Sequence, residues 1–238
     1  MPETTGVYAT VGGKKVEIQR PVDEVRAIYE ANPSEVYSKE FFSRMQKLRL
    51  WQKEVGRKIV DIFGIESVMD FGCGAGYYLE GMNENGAHVF GYEYMYSEVK
   101  DFIPDSIKDR VFHANCQNQI SVIGDLRVDM TFSIEVAEHI LPEYSSYLVW
   151  NLVDHATKFI VFSAAPPGQT GCGHINLQPW DYWANLFREN GWVESEKWTE
   201  KLRNIYKSLS RRSKYTNLLS RMVHVFTKEG AEAHNFSC

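Results

Sequence analysis

Ser67-Val68-Met69-Asp70-Phe71 is an apolar run that ends in Gly72-Cys73-Gly74-Ala75-Gly76, and residues 75–84 follow it with a helical pattern. The order is strand, glycine loop, helix. Glycines at such a junction let the backbone approach a ligand closely and present amide donors at a helix N-terminus. The spacing separates two ligand classes. A dinucleotide pyrophosphate asks for G-x-G-x-x-G, with the third glycine where helix and strand pack. That place holds the bulky Tyr77, and the third glycine falls one residue earlier, at Gly76. Asp70, two residues before the first glycine, sets a negative charge where a pyrophosphate would lie. It suits a ligand that carries an amine and a positive sulfonium.

The chain on both sides of this loop alternates between element types. Residues 38–63 are the longest helical signal, with Phe41, Met45, Leu48, Val55, Ile59 and Ile62 as one apolar stripe and Gly64 as the stop. Strands are expected at Ala87–Glu93, 110–114, Val128–Ile134 and Lys158–Ala164. Helices are expected at 95–102, from Pro142 to His155, and from Pro179 to Asn190 with Gly191 just beyond. Val193 onward and Arg221–Thr227 read as closing strands. Upstream, residues 1–20 read as a loose arm or small hairpin, with Val7–Val11 before Gly12-Gly13. Pro21 precedes a short helix to Ala31, which Asn32-Pro33-Ser34 breaks. Strands alternating with helices imply an α/β class with a mostly parallel sheet covered on both faces. The division is an N-terminal arm and cap over 1–37 and one α/β domain over 38–238.

Composition agrees. The 238 residues are 44% hydrophobic and 24% charged, ordinary globular usage that excludes collagen-like repeats, coiled coil and disorder. A net charge of −5 argues against a whole-chain nucleic-acid binder. Apolar runs such as Phe159–Phe162 are too short to span a membrane. Met1–Thr5 has no basic region leading into an apolar one, so no secretory signal is expected. Cys73, Cys116, Cys172 and Cys238 show no C-x-x-C spacing and read as reduced thiols, which points to a cytoplasmic setting.

Asp70-x-Gly72-x-Gly74-x-Gly76 resembles the first motif of class I S-adenosylmethionine methyltransferases. Glu93, which ends the next strand, matches that family's acid for the two ribose hydroxyls. Asn115 and Cys116 fall where the family contacts adenine, with Asn115 standing in place of a more usual acid. The resemblance covers about residues 38–199. It implies a Rossmann-like class I methyltransferase fold, a seven-stranded, mostly parallel sheet whose last strand is antiparallel. It also implies S-adenosylmethionine as cofactor, held by Asp70, Gly72, Cys73, Gly74, Gly76, Glu93, Asn115, Cys116 and Glu135.

Glu135, Glu138 and His139 lie within Ser133–Ile140, after the fourth strand. If that stretch is helical, they share one face. Two carboxylates and an imidazole in one patch ask for a positive partner, and a divalent ion with oxygen and nitrogen ligands satisfies them. The other reading is a capping and hydrogen-bonding cluster beneath the cofactor. The E-x-x-E-H run resembles the ubiquinone-biosynthesis O-methyltransferases and the small-RNA 3′-end 2′-O-methyltransferases, where it is associated with a metal that orients the acceptor hydroxyl. The ligands this implies are Glu135, Glu138, His139 and His174, with magnesium or another divalent ion. His174 follows the fifth strand, so both histidines fall at strand ends and can face one pocket. A hydroxyl is a poor nucleophile and needs a base or metal, with an in-line approach to the methyl group. His139 or His174 is the candidate base and Glu135 a catalytic orienting group. The N-terminal helix either caps the cofactor, with Tyr37 near its carboxylate, or is core alone.

Gly173–Trp183 with Asn190-Gly191-Trp192 resembles bacterial and viral methyltransferases found with glycan-building enzymes, which points to a sugar or other small-molecule hydroxyl as acceptor. Residues 197–221 carry eight Lys and Arg against the single acid Glu200. This segment, an insertion over 197–219, is read as a substrate lid for an anionic acceptor such as a nucleotide-sugar, a phosphorylated glycan or RNA, or else as a solvated helix balancing an acidic body. The expected activity is O-methylation. The alternatives are RNA 2′-O-methylation and a non-catalytic S-adenosylmethionine-binding module.

Overall fold

The computed structural model describes residues 4–11, 14–120, 126–209 and 214–230, with Thr5 the one described side chain before Arg20. Gly12, Gly13, Arg211, Arg212 and Cys238 lie outside the described residues, as do the side chains of Lys214 and Tyr215.

An antiparallel hairpin comes first, β1 (Thr4–Val11) and β2 (Lys14–Pro21), so the N-terminal arm is the hairpin. Then come α1 (Val22–Ala31), α2 (Lys39–Met45) and α3 (Arg49–Phe63). The domain continues through β3 (Ser67–Phe71), α4 (Tyr77–Glu84), β4 (His88–Glu93), α5 (Tyr96–Val99), β5 (Val111–His113), β6 (Val128–Ser133), α6 (Ser145–His155) and β7 (Ala156–Phe162). It closes with α7 (Trp180–Glu189), β8 (Trp192–Glu194), α8 (Glu196–Leu209), α9 (Lys214–Met222) and β9 (His224–Lys228).

The sheet order is β5-β4-β3-β6-β7-β9-β8, with β9 antiparallel to both neighbours and the other strands parallel to one another. This is the expected Rossmann-like architecture. β3 continues outward through β4 and β5, whereas β6 and β7 build the other way. The direction of winding therefore reverses between β3 and β6, where an open α/β sheet forms a crevice at the carboxyl ends of its strands. Alternation along the strands feeds two cores. Val68, Phe159 and Val161 pack with α3, α4, α8 and α9, while Met69, Phe71, Ile160 and Phe162 pack with α6 and α7. Both faces being covered explains why β3 reads as a continuous apolar run.

Three local readings need correction. The helix expected over 38–63 is broken by a 3-10 turn at Gln46–Leu48. Val55, Gly56, Ile59, Val60 and Phe63 are buried, while Ile62 is 41% exposed. The strand expected from Val193 is three residues long, and α8 begins at Glu196. Arg221 belongs to α9, and the last strand starts at His224. The basic segment is thus a helical pair lying over α3 and β9, with Leu202, Ile205, Tyr206 and Leu219 in the core. Among the described residues no helix is long and apolar enough to cross a membrane.

α3 and α4 approach through two glycines. A Cβ on Gly81 would sit 1.8 Å from the Lys53 carbonyl oxygen, and one on Gly56 2.2 Å from that of Tyr78. Because the obstruction is backbone, Gly81→Ala forces the helices apart. The expected cost is about 3 kcal/mol, a fall in melting temperature of roughly 6–12 °C. Calorimetry checks it, and unchanged melting would show that the pair separates freely.

Candidate active site

A cavity of about 480 Å³ opens at the carboxyl ends of β3, β4 and β6, beneath a roof formed by Tyr29, Phe41, Phe42 and Met45 of the N-terminal helices and Tyr37 of the connection between α1 and α2. The glycine loop forms one wall. Gly72 and Cys73 donate their amides to the Tyr92 carbonyl at 2.8 and 3.1 Å, which ties the loop to β4. Gly72 has φ +80°, and a Cβ there would meet Val136 Cγ2 at 2.5 Å. At Gly74, φ is +54° and a Cβ would meet nothing within 4 Å. One glycine is needed for close packing and a left-handed turn, the other for a bare backbone facing open space. Gly76 does not line the cavity. It sits at the N-terminus of α4 against Ile107.

Asp70, one residue before the end of β3, and Glu93, which ends β4, both line this wall. Glu93 Oε2 accepts from the Gly74 amide and Oε1 from the Met95 amide, each at 2.8 Å. Burial raises the Glu93 pKa, against the lowering effect of these amides. Burial, then the neighbouring Glu93, pushes Asp70 well above the carboxylate range. Asn115 and Cys116 line the same space, with Asn115 Oδ1 accepting from the Gln117 amide at 2.9 Å. Burial raises the Cys73 and Cys116 thiols, which keeps them protonated and unreactive.

Across the cavity lies a second cluster. Glu135 is not helical. Its φ is +58°, the one positive value among the described non-glycine residues. Ser163 on the loop after β7 holds this conformation. Its Oγ accepts from the Glu135 amide at 3.0 Å and donates to Glu135 Oε1 at 2.8 Å. A short 3-10 turn, Ala137–His139, then carries Glu138 and His139. The amides of Ile175 and Asn176 bond the Glu138 carbonyl at 2.9 and 3.0 Å, which brings in the His174 loop.

His139 Nδ1 lies 2.8 Å from the Tyr37 hydroxyl and 3.0 Å from the Gly173 carbonyl, and the Tyr37 hydroxyl donates to that same carbonyl at 3.0 Å. A ring nitrogen beside a carbonyl oxygen is attractive only when it carries the proton. Nδ1 is therefore the N–H, and Nε2 is left with the lone pair. His174 is alike, with Nδ1 3.3 Å from the Gln169 carbonyl and Nε2 3.9 Å from Glu138 Oε1. Backbone groups of Glu138 and Ala165 offset the burial of Glu138 in part, yet neither carboxyl oxygen has a partner at hydrogen-bond geometry. Glu138, His139 and His174 each place one donor atom within 4.8 Å of the others. These donor atoms are near enough to one another for a divalent cation to be held between them. Glu135 stands outside this trio, beside Glu138.

All the residues singled out from sequence therefore meet in one cavity, except Gly76. Tyr37, left between cap and core, has its hydroxyl on His139. Nothing local signals that contact, which spans 102 residues. Ser163 and Gly173 were missed for the same reason. The described residues that line the cavity include four carboxylates, Asp70, Glu93, Glu135 and Glu138, and no Lys or Arg. Among the described residues of the basic segment, only Leu218 reaches it.

Burial gives the metal-free protein a specific pH dependence. Glu135 is raised to about 7 and Glu138 well above its ordinary value, with burial first and their mutual repulsion next for Glu138. Their stabilising contribution is complete below the unfolded value, about 4.5, and is lost as pH rises through the folded values. Burial lowers His139 to about 3 and His174 to about 4. These rings oppose folding below about pH 6.5 and have no effect above it. Stability with a chelator present is expected to peak near pH ~6 and fall toward pH ~8, with Mn²⁺ flattening the alkaline limb. Melting temperatures across that range check it.

No protein-family model matches the chain, and a search of curated proteins found no match. Solved structures do resemble it. The S-adenosylmethionine-bound magnesium protoporphyrin IX methyltransferase of Synechocystis aligns over 87% of this chain and 97% of its own, with TM-score 0.55 and 14% identity. The S-adenosylmethionine-bound amino pentose methyltransferase of Micromonospora echinaspora aligns over 75% and 90%, with TM-score 0.53 and 14% identity. The mitomycin 7-O-methyltransferase aligns over 72% and 56%, with TM-score 0.51 and 12% identity. These neighbours are S-adenosylmethionine-dependent methyltransferases, and the chain has their fold.

Proposed function

We propose that the protein transfers the methyl group of S-adenosylmethionine to a hydroxyl of a small acceptor, a sugar or other compound without phosphate, beside a divalent cation. The observation that carries this reading is one cavity with a bare glycine loop and Glu93 on one wall and Glu138, His139 and His174 on the other. Glu93 uses one lone pair of each oxygen on backbone amides and keeps others for the two ribose hydroxyls. Asp70 suits the amine, and a cavity lined by carboxylates favours a sulfonium ligand of net charge +1. The same charge disfavours a phosphorylated acceptor or RNA, because no described Lys or Arg lines the wall.

The fit of the donor set to a metal rests on the orphaned Glu138 oxygens and the two Nε2 lone pairs. Burial holds both imidazoles neutral, the form that ligates. Two imidazoles and one carboxylate favour a first-row transition ion over magnesium. A divalent ion held by Glu138, His139 and His174 would supply Lewis acidity, lowering the pKa of an acceptor hydroxyl. In the transfer, the acceptor oxygen attacks the methyl carbon in line, the carbon–sulfur bond breaks, and the hydroxyl proton leaves toward Glu135, the carboxyl outside the cation-holding trio. Tyr37 and Ser163 keep those groups aimed, and the aromatic roof excludes water.

The test is thermal melting with S-adenosylhomocysteine, with NAD as control, each with Mn²⁺ and with chelator. A ligand at a hundredfold its Kd adds about 2.7 kcal/mol, roughly 5–10 °C for a chain of this size. A shift with S-adenosylhomocysteine alone supports the cofactor, and a further Mn²⁺-dependent shift supports the cation. A shift with NAD instead, or none with S-adenosylhomocysteine, would remove the reading.

A further inference from the structure

We propose that the N-terminal hairpin is part of the site, and that the Thr5 hydroxyl is the positioning group that holds His174 in place. The inference rests on the reading of His174 as part of the acceptor side of the cavity. Thr5 lies on β1, far from the α/β domain in sequence, yet it is fully buried. Its Oγ1 donates to the Gly171 carbonyl at 2.6 Å and accepts from the His174 amide at 2.7 Å. A single hydroxyl thereby closes the Gly171–His174 turn by bonding both ends of it. The turn is tight. A Cβ on Gly171 would lie 2.1 Å from His174 Nε2, so the imidazole rests on the bare glycine. On the other side of His174, the Ile175 and Asn176 amides are fixed to the Glu138 carbonyl. His174 thus sits between two anchors, one inside the domain and one supplied by the hairpin.

The pairing works in both directions. A lone two-stranded hairpin is marginal in water. Docking through Thr5 gives it a fixed place, and that place is next to an imidazole whose Nε2 lies 3.9 Å from Glu138 Oε1. Without the hydroxyl, the Gly171 carbonyl and the His174 amide lose their partners in a buried setting. The turn then relaxes, and His174 leaves the position in which its Nε2 converges with the other donors.

Two substitutions separate this role from packing. Thr5→Val keeps the shape and removes the hydroxyl. Thr5→Ser keeps the hydroxyl and removes the methyl. The readouts are hydrogen exchange of the His174 amide by NMR and the Mn²⁺ Kd of the S-adenosylhomocysteine-loaded protein. Thr5→Val is expected to speed exchange about tenfold or more and to weaken Mn²⁺ about 10–100-fold, with S-adenosylhomocysteine affinity unchanged. Thr5→Ser is expected to match the wild type on both readouts. A Thr5→Val protein that behaves as wild type would overturn the proposal. So would impairment of Thr5→Ser equal to that of Thr5→Val, which would make the methyl group the important part. If the wild type itself binds no Mn²⁺, the metal reading fails, and the exchange rates of the two variants still decide the role of Thr5.

Discussion

Glu138→Gln protein, freed of metal, is expected to melt higher than wild type at pH 8 and to lose Mn²⁺ binding. The two effects have one origin. Glu138 is fully buried, neither oxygen has a hydrogen-bond partner, and Glu135 adds a second carboxyl beside it. Keeping a carboxylate there is a cost to the fold that a cation offsets. Glutamine has the same shape, carries no charge, and offers an N–H toward His174 Nε2, which lies 3.9 Å from Glu138 Oε1. Relief of an unsatisfied buried group is worth about 1–3 kcal/mol, a rise of roughly 2–12 °C. The gain should shrink toward pH 5, where burial already keeps Glu138 protonated. Metal affinity moves the other way. An outer-shell change costs about 10–100-fold, and loss of the only carboxylate in the trio should exceed that. Calorimetry with chelator and Mn²⁺ titration measure both. Lower melting of the metal-free variant would mean that the carboxylate is paired for stability rather than held for a cation.

Where sequence reading succeeds and where it fails follows from the distance between partners. The glycine loop is legible because its requirements are local: a left-handed turn at Gly72, a bare backbone at Gly74 and an acid at each strand end. The strands of the doubly covered sheet are legible because burial on both faces fills β3 with Val68, Met69 and Phe71, Asp70 being the one charged residue on it. Glu135 is different. Helical periodicity is the natural reading of E-x-x-E-H, but the backbone turns left-handed there because Ser163, 28 residues on, bonds both its amide and its carboxyl. The tautomer of His139 follows from the Gly173 carbonyl, 34 residues on, and the ring and the His174 amide also bond Tyr37 and Thr5, each more than a hundred residues away. In the basic segment Lys197, Lys201 and Lys207 are exposed on α8, and the apolar stripe of Leu202, Ile205 and Tyr206 that sets the helix's place is thinly spaced among them.

Glu93→Gln is the change expected to damage cofactor binding most. The carboxylate of Glu93 accepts the Gly74 amide on one oxygen and the Met95 amide on the other. Glutamine has one oxygen and one NH₂, so in either orientation the NH₂ meets a backbone N–H. The clash is buried, with no water to absorb it, and displaces either the glycine loop or the turn into α5. The variant also loses the charge that would strengthen bonds to ribose hydroxyls. S-adenosylhomocysteine affinity should fall about 100-fold, roughly 2.7 kcal/mol, and melting should drop by a few degrees, since an unsatisfied buried donor costs about 1–3 kcal/mol. Glu93→Asp keeps the charge but, one methylene shorter, cannot span both amides, so it should fall between the two. Titration calorimetry on the three proteins sets the order. If Glu93→Gln binds S-adenosylhomocysteine within threefold of wild type while melting lower, Glu93 is a strut between β4 and the glycine loop, and the ribose must be held by other groups. If affinity and melting fall together and Glu93→Asp recovers affinity more than stability, the charge acts on the ligand itself, because a strut alone would tie the two losses together.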